Sequence, residues 1–155
     1  MGVTNFDEYR DVFVVADTID DVVHPVTYEL IGQARRIAKE LGQLVQVMLL
    51  GENVQSEAEE LVAHGADIVH VFESPLLKYY TTDGYTKVLT DFFEDHKPNI
   101  LLIGATNNGR DLAPRMSGRM KNGVVADCTI LTVDTEEGLV AVSYTHLRAH
   151  ETPEH

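Results

Sequence analysis

Short apolar runs alternate with segments of helical periodicity along most of this chain, and this alternation limits the folds open to it. The runs lack the polar alternation of a half-exposed strand, and are typical of strands buried on both faces of a parallel sheet. They lie at 11–16 (DVFVVA), 44–50 (LVQVMLL), 67–72 (DIVHVF) and 99–103 (NILLI). Two further short strands are expected at 129–133 and 139–142, with Glu137-Gly138 as the turn between them. The order predicts an α/β fold, a doubly wound and mostly parallel sheet in a three-layer sandwich.

Residues that favour helix termini bracket the helical segments. Pro25 suits the first position of a helix because its missing N–H is not needed there, and Gly42 is a natural stop. The third segment has its apolar residues on one helix face. They are Tyr85, Val88, Leu89, Phe92 and Phe93. The second helix is expected through Ala58, Leu61 and Val62 to Gly65. The third should run from a cap at Thr82 or Asp83 to Lys97-Pro98, and the fourth from about Arg110 to Met120.

Three regions are expected in the 155 residues, a length that suits one domain. Residues 1–9 are polar and form a flexible lead-in, and residues 10–142 form the folded domain. Residues 143–155 hold three of the seven histidines and have no helix or strand period. This string resembles translated sequencing-adapter read-through, so we expect a non-native tail on a natural chain that was cut near Val142. A disordered native tail is the alternative.

The charge of the chain excludes several classes of function. There are 12 Lys and Arg against 25 Asp and Glu, which gives a formal charge of -13. A chain of this sign is repelled by phosphate backbones, so general nucleic-acid binding is not expected. No apolar run approaches the ~18 residues of a membrane helix, and no signal-peptide core follows Met1. We therefore expect a soluble, cytoplasmic protein of bacterial type that does not insert into membranes.

Metal and catalytic chemistry have little support in the sequence. The single cysteine, Cys128, excludes a disulfide framework and is expected to be a small buried hydrophobe. His24, His64, His70 and His96 are scattered over separate elements without the spacing of metal ligands, so no metal site is expected. There is no G-x-S-x-G elbow and no ordered set of nucleophile and base. No catalytic residues are predicted.

The candidate site lies where two strands end, because ligands of open α/β sheets bind beyond the carboxyl ends of the strands. Asp17-Thr18 follows the first strand, and the segment GATNNG (104–109) follows the fourth. Its glycines and asparagines can adopt positive φ, so successive amides could turn inward and bind an anion beside the next helix N-terminus. The candidate residues are Gly104, Thr106, Asn107, Asn108, Gly109 and Arg110.

The glycine spacing of this segment does not identify a ligand by itself. Gly104 and Gly109 have the G-x-x-x-x-G spacing of a P-loop, but Arg110-Asp111 follows where Lys and Ser or Thr are needed. The dinucleotide fingerprint G-x-G-x-x-G is absent. A degenerate adenylate cradle and a simple tight strand-to-helix turn both remain open.

The helix after GATNNG carries a cationic strip in an otherwise acidic chain. The strip consists of Arg110, Arg115 and Arg119, while Leu112, Met116 and Met120 can face inward. It could meet an acidic partner, an anionic cofactor or solvent. Pro114 is tolerated if it lies near the helix start, and Gly118 suggests close approach by another backbone.

The run GATNNGRDLAPRMSGRMKNGVVADCT (104–129) resembles the alpha subunit of electron transfer flavoproteins. That family has G-A-T-x-x-G-R-D-L-A-P-R followed by T-G-L-x-A-D-C-T, and this chain matches through Arg115. It departs at Ser117-Gly118, Asn122 and Val124, and matches again at ADCT (126–129). DVFVVAD, ELIGQARRIAKELG, HGADIVHVFE and SPLLKYYTTDGYTKVL also follow the family, so the resemblance covers about 10–142.

The resemblance implies a role in electron transport. Alpha and beta subunits form a heterodimeric flavoprotein that carries electrons from acyl-CoA and other flavin dehydrogenases to a downstream acceptor, as in fatty acid beta-oxidation, or bifurcates them in some anaerobes. It implies an electron carrier subunit and not an enzyme. The alpha N-terminal domain has a Rossmann-like, adenine-nucleotide alpha-hydrolase-like fold with a degenerate nucleotide loop.

The same resemblance implies that FAD is held mainly by a C-terminal domain that this chain does not reach, so no cofactor is expected here. Arg110, Arg115 and Arg119 would then face the beta subunit or that domain.

Two alternatives belong to other classes of protein. A universal-stress-type module would use the same segment for adenylate, but it needs G-x-x-G-x9-G-[ST]. Here Gly104, Gly109 and Gly118 have other spacings, and Arg119 stands where Ser or Thr is required. An isolated hydrolase would need a base and a nucleophile that the sequence does not supply in any ordered spacing.

Overall fold

The computed structural model describes residues 9–120, 128–134 and 140–145. Eight strands lie within these residues. They are β1 (Val12–Val15), β2 (Thr18–Ile19), β3 (Val22–Val23), β4 (Val45–Gly51), β5 (Ile68–Glu73), β6 (Ile100–Gly104), β7 (Thr129–Asp134) and β8 (Val140–Thr145). The helices are α1 (Pro25–Leu41), α2 (Gln55–Ala63), α3 (Thr82–Asp95) and α4 (Asn107–Arg119), with a 3₁₀ turn at Pro75–Leu77.

Six strands form one sheet in the order β5-β4-β1-β6-β7-β8. The strand β1 lies inside the sheet and pairs in parallel with both neighbours, so that Val12 lies opposite Val45 on one side and Ile100 on the other. The pairs β4–β5 and β6–β7 are also parallel, and only β8 runs antiparallel, to β7. This topology confirms the predicted doubly wound, mostly parallel α/β fold.

The helices bury both faces of the sheet. Val12 and Val14 of β1 pack into one core, which α1 and α2 complete on their side. Phe13 and Val15 pack into the opposite core with α3 and α4. All four residues of β1 are buried, which explains why this strand shows no polar alternation.

Side-chain caps set most of the helix boundaries. The predicted bounds of α1 are confirmed: His24 Nδ1 accepts from the Val26 amide at 3.0 Å before Pro25, and Gly42 ends the helix with a left-handed φ of 68°. The predicted cap of α3 was wrong. Thr81 caps that helix, because its backbone is extended and its hydroxyl accepts from the Gly84 amide at 3.2 Å.

Two other predictions need correction. The helix expected through Ala58, Leu61 and Val62 forms, but it ends at Ala63 and not at Gly65. Strand β8 continues to Thr145, so residues 143–145 have strand backbone although the sequence placed them in the tail. Ladder pairing with β7 carries the strand past the expected end at 142. Residues 1–8, the turn at 137–138 and residues 146–155 lie outside the described residues.

Cys128 is fully buried, as predicted, and burial raises the pKa of its thiol. Among the described residues, no helix is long and apolar enough to cross a membrane.

Candidate functional site at the carboxyl edge of the sheet

The order of the strands creates a crevice between β1 and β6. The chain leaves β1 for β4 on one side and returns to β6 on the other, which is the switch point where open α/β sheets bind ligands. Asp17 and Thr106 follow these two strands, and the Thr106 hydroxyl donates a hydrogen bond to the Asp17 carboxylate. The structure therefore brings together the two strand ends that the sequence singled out.

The predicted loop conformation was wrong. Gly104 is the last residue of β6, while Asn107, Asn108 and Gly109 are already in α4, so the helix begins three residues before the expected Arg110. None of these four residues has a left-handed φ. Thr106 is the physical reason, because its hydroxyl accepts from the Gly109 amide at 3.1 Å and caps the helix. The cradle of inward-turned amides does not form.

Gly109 is needed for packing. A Cβ at this position would lie 1.8 Å from the Gly104 carbonyl oxygen and 3.1 Å from a methyl group of Ile103. The first turn of α4 therefore lies directly against the end of β6, and only glycine permits that approach. Between the two interpretations that the spacing left open, this contact favours the tight strand-to-helix turn.

Two tyrosines fill the crevice. Tyr80 and Tyr85 lie with ring centroids 4.9 Å apart beside Asp17, Thr18 and Asn108. The remaining cavity has a volume of about 20 Å³, enough for one water molecule. Pockets for small-molecule ligands usually measure about 300–1,000 Å³. In this conformation the crevice has no room for an adenylate.

Hydrogen bonds hold both tyrosines in place. Tyr85 donates from its hydroxyl to the Leu77 carbonyl at 3.1 Å, and Tyr80 donates to the Asp111 carboxylate at 2.7 Å. The Thr82 hydroxyl donates to the same carboxylate. These two donors, Thr82 first and then Tyr80, lower the pKa of Asp111, while burial and the neighbouring carboxylate raise the pKa of Tyr80. Asp111 thus links α4 to the segment that closes the crevice.

The three arginines of the predicted strip are exposed on α4. Arg110 turns back and donates from Nε to the Ala105 carbonyl at 3.0 Å. Arg115 forms an ion pair with Asp83 at the start of α3. The inward face is confirmed, since Leu112, Met116 and Met120 are buried.

One prediction about α4 was wrong. Pro114 lies well inside the helix and not near its start, because the helix begins at Asn107. At Gly118 a Cβ would meet no described atom within 4 Å, so close approach by the backbone of a partner stays a prediction.

The histidines that the structure describes do not form a cluster, and two of them have structural roles. His24 caps α1, and His70 shares a 2.6 Å hydrogen bond with Gln46. Burial, and then the nearby His96, lower the pKa of His70. Within the part of the chain that the structure describes, no three His, Cys, Asp or Glu side chains are close enough to hold a metal ion.

Sequence reasoning missed the residues that close the crevice. Tyr80 was included only in a run that follows the family, Tyr85 only on the apolar face of a helix, and Asp111 only as a mismatch to a P-loop. The contacts join residues about thirty positions apart, so no local spacing signals them. The sequence did offer one signal for these residues. The segment SPLLKYYTTDGY (74–85) places several tyrosines around the start of a helix at the carboxyl edge of the sheet.

Comparison with known proteins gives a family match over most of the chain. Residues 12–149 match the family model described as electron transfer flavoprotein domain. The chain is 45% identical over 130 residues to an electron transfer flavoprotein subunit alpha from Megasphaera elsdenii, covering 84% of this chain and 38% of that protein. It is 45% identical over 134 residues to subunit LctC of a lactate dehydrogenase (NAD(+),ferredoxin) from Acetobacterium woodii, covering 86% of this chain and 32% of that protein.

Among solved structures, a universal stress protein from Archaeoglobus fulgidus in complex with dAMP aligns with a TM-score of 0.49 and 15% identity. The alignment covers 77% of this chain and 97% of that one. This likeness is too low to support an argument about ligand or function.

Proposed function

This chain belongs to the electron transfer flavoprotein family, and from that membership we propose that it is the N-terminal domain of an alpha subunit of a flavin electron carrier. The observation that carries the proposal is the 45% identity to an alpha subunit over 84% of this chain. The same match favours this function over the universal-stress alternative. The chain spans about two fifths or less of the length of these relatives, so FAD, the beta subunit and the dehydrogenases are properties of a longer parent protein.

Within that parent, this domain acts as a scaffold and not as the cofactor site. The crevice at the switch point supports this role, because Tyr80 and Tyr85 leave it a volume of about 20 Å³. FAD binds mainly to the remaining domain of the alpha subunit. The isolated chain carries no flavin and turns over no substrate, and the residues from Gly104 to Arg110 join a strand to a helix without holding a nucleotide.

The exposed arginines of α4 form part of the interface in the assembled protein. Arg110, Arg115 and Arg119 lie on a helix whose other face is fixed in the core by Met116. In a chain with a formal charge of -13, they are suited to carboxylates of the beta subunit or of the missing domain. The parent works in the cytoplasm, where acyl-CoA or other flavin dehydrogenases supply its electrons, as in fatty acid beta-oxidation.

A chimeric alpha subunit tests the proposal. Residues 1–142 replace the corresponding domain of the Megasphaera elsdenii relative, and the chimera is expressed with a beta subunit. We expect a yellow heterodimer with FAD bound at the stoichiometry of the natural protein. A chimera that is soluble but does not bind the beta subunit, while the natural alpha subunit binds it, would contradict the proposal.

A ligand titration of the 155-residue chain tests the scaffold role separately. FAD, AMP and ATP are added to the isotopically labelled chain, and binding at the crevice is followed by NMR at the amides of Asp17 and Asn108, which line it. We expect no saturable shift at these amides from any of the three. Micromolar binding of ATP at the crevice without a partner would contradict the scaffold role and favour the universal-stress-type module.

A further inference from the structure

A second and much larger cleft lies at the amino edge of the sheet. It opens between the C-terminal half of α1 and the connection from α2 to β5, with a volume of about 780 Å³. Arg35, Arg36 and Lys39 line one wall, and residues 62–67 line the other. The crevice between β1 and β6 is at the opposite edge, so this cleft is separate from the site considered above.

The cleft concentrates positive charge in an acidic chain. Arg35, Arg36 and Lys39 are three of the 12 lysines and arginines, and they lie within two turns of one helix. All three are exposed, and none forms an ion pair or side-chain hydrogen bond with any residue that the structure describes. Unpaired cations on a low-dielectric wall attract anions.

One acidic residue, Asp67, also lines the cleft, so the three cations outnumber it. Its carboxylate accepts a hydrogen bond from the Val45 amide at 2.9 Å and forms no ion pair with any described residue. Lys39 lies in the last turn of α1, where a cation also complements the helix dipole. Arg35 and Arg36 lie further from the helix end, so the dipole does not account for them.

Gly65 positions Arg35. This glycine has a φ of 121°, and a Cβ there would lie 2.3 Å from Arg35 Cδ and 3.0 Å from its Nη1. The stem and guanidinium of Arg35 therefore rest on the bare backbone of Gly65, at the boundary between the two walls of the cleft. A side chain at position 65 would displace the guanidinium and strain the backbone.

We propose that this cleft binds a multiply charged phosphate group, with Arg35 and Arg36 as the principal ligands and Lys39 as an additional point charge. Two guanidinium groups can each donate a pair of hydrogen bonds to phosphate oxygens. The half-exposed Val62 and the neighbouring alanine Ala63 leave an apolar wall beside the cations for an organic substituent. The ligand class is a di- or polyphosphate, free or as an ester.

The test is a titration of the isotopically labelled 155-residue chain, followed by NMR at low salt. Inorganic pyrophosphate is the first probe, and ADP is the second, which separates free phosphate from an ester. We expect saturable shifts centred on the amides of Gly65 and Ala66, with submillimolar affinity that falls as salt is added. Tighter binding of ADP would identify an ester as the natural ligand, and equal binding would identify the phosphate group alone.

Substitutions in the cleft distinguish specific binding of phosphate at this site from general electrostatic attraction of anions to exposed cations. We expect Arg35→Gln and Arg36→Gln each to weaken binding about tenfold. Lys87→Gln is the control, because it removes an exposed cation on another helix, and it should leave the affinity unchanged. Gly65→Ala, checked for folding by circular dichroism, should weaken binding while keeping all three cations. No saturation up to ~10 mM pyrophosphate, or an equal loss in Lys87→Gln, would overturn the proposal.

Discussion

Gly109 and Gly118 lie on the same helix, α4, and the structure predicts opposite results for the same substitution at the two positions. In an exposed helix, replacing glycine by alanine stabilises the fold by about 0.5–1 kcal/mol. At Gly118 a Cβ would meet no described atom within 4 Å, so Gly118→Ala should give that gain. At Gly109 the new Cβ would lie 1.8 Å from the Gly104 carbonyl oxygen.

The magnitude for Gly109→Ala follows from this contact. To reach an ordinary separation, α4 must move away from β6 by more than an ångström, and the atom it meets is rigid backbone. Overpacking usually costs about 1–3 kcal/mol, and a backbone clash belongs at the upper end of that range. After subtracting the gain in helix propensity, we expect a net loss of about 2 kcal/mol.

Urea unfolding of both variants, followed by circular dichroism, measures these changes. The midpoint should fall for Gly109→Ala and rise for Gly118→Ala, with an unchanged dependence of the free energy on urea. If Gly109→Ala is as stable as the wild-type chain, α4 does not pack against β6 as described, and the packing role of this glycine is refuted.

Three further predictions concern caps and pH. Thr106→Ala should lower the free energy of unfolding by about 1–2 kcal/mol, measured by urea unfolding, because it removes the cap of α4 and the donor to Asp17; Thr106→Ser should restore both. Glu73→Ala should lower the free energy of unfolding by about 1–2 kcal/mol in the same assay, because the Glu73 carboxylate accepts from the Val54 and Gln55 amides at the start of α2. As a control, Glu59→Ala on the exposed face should change that free energy by no more than about 0.5 kcal/mol. Burial lowers the pKa of His70 below 6.5, so at lower pH the unfolded chain binds a proton that the folded chain does not, and stability should fall as pH drops below about 6.5. Thermal unfolding of His70→Gln should show a smaller fall in stability with pH. If stability depends on pH as steeply in His70→Gln as in the wild-type chain, this assignment is contradicted.

The fold could be predicted because its signals are local. The unbroken apolar run of β1 requires cover on both faces, and the spacing of Tyr85, Leu89 and Phe93 requires a helix. Both were confirmed. The start of α4 could not be predicted in this way. Asn and Gly were interpreted as turn residues, but the Thr106 cap and the close approach of Gly109 place them in a helix.

The candidate site was harder to predict than the fold. The sequence placed Asp17 and Thr106 after two strands, but their adjacency follows from the order of the strands in the sheet, which the sequence pattern did not give. Closure of the crevice depends on Tyr80 reaching Asp111 and Tyr85 reaching the Leu77 carbonyl, and these contacts depend on the path of the segment before α3. The spacing of glycines in one loop therefore cannot predict whether side chains of another segment close the site.

At the carboxyl edge of the sheet, acidic side chains of this chain occupy backbone amides that could otherwise bind an anion. At the end of β4, four successive amides point to carboxylates of the same chain. Asp21 accepts from Glu52 and Asn53 at 3.0 and 3.1 Å, and Glu73 accepts from Val54 and Gln55 at 2.8 and 3.1 Å. Donors of this kind would otherwise be available to a phosphate. The acidic side chains thus satisfy internally donors that an anion could otherwise use, whereas Arg35, Arg36 and Lys39 at the amino edge form no ion pair with any described residue. This asymmetry is why we propose a scaffold role at one edge and an anion site at the other.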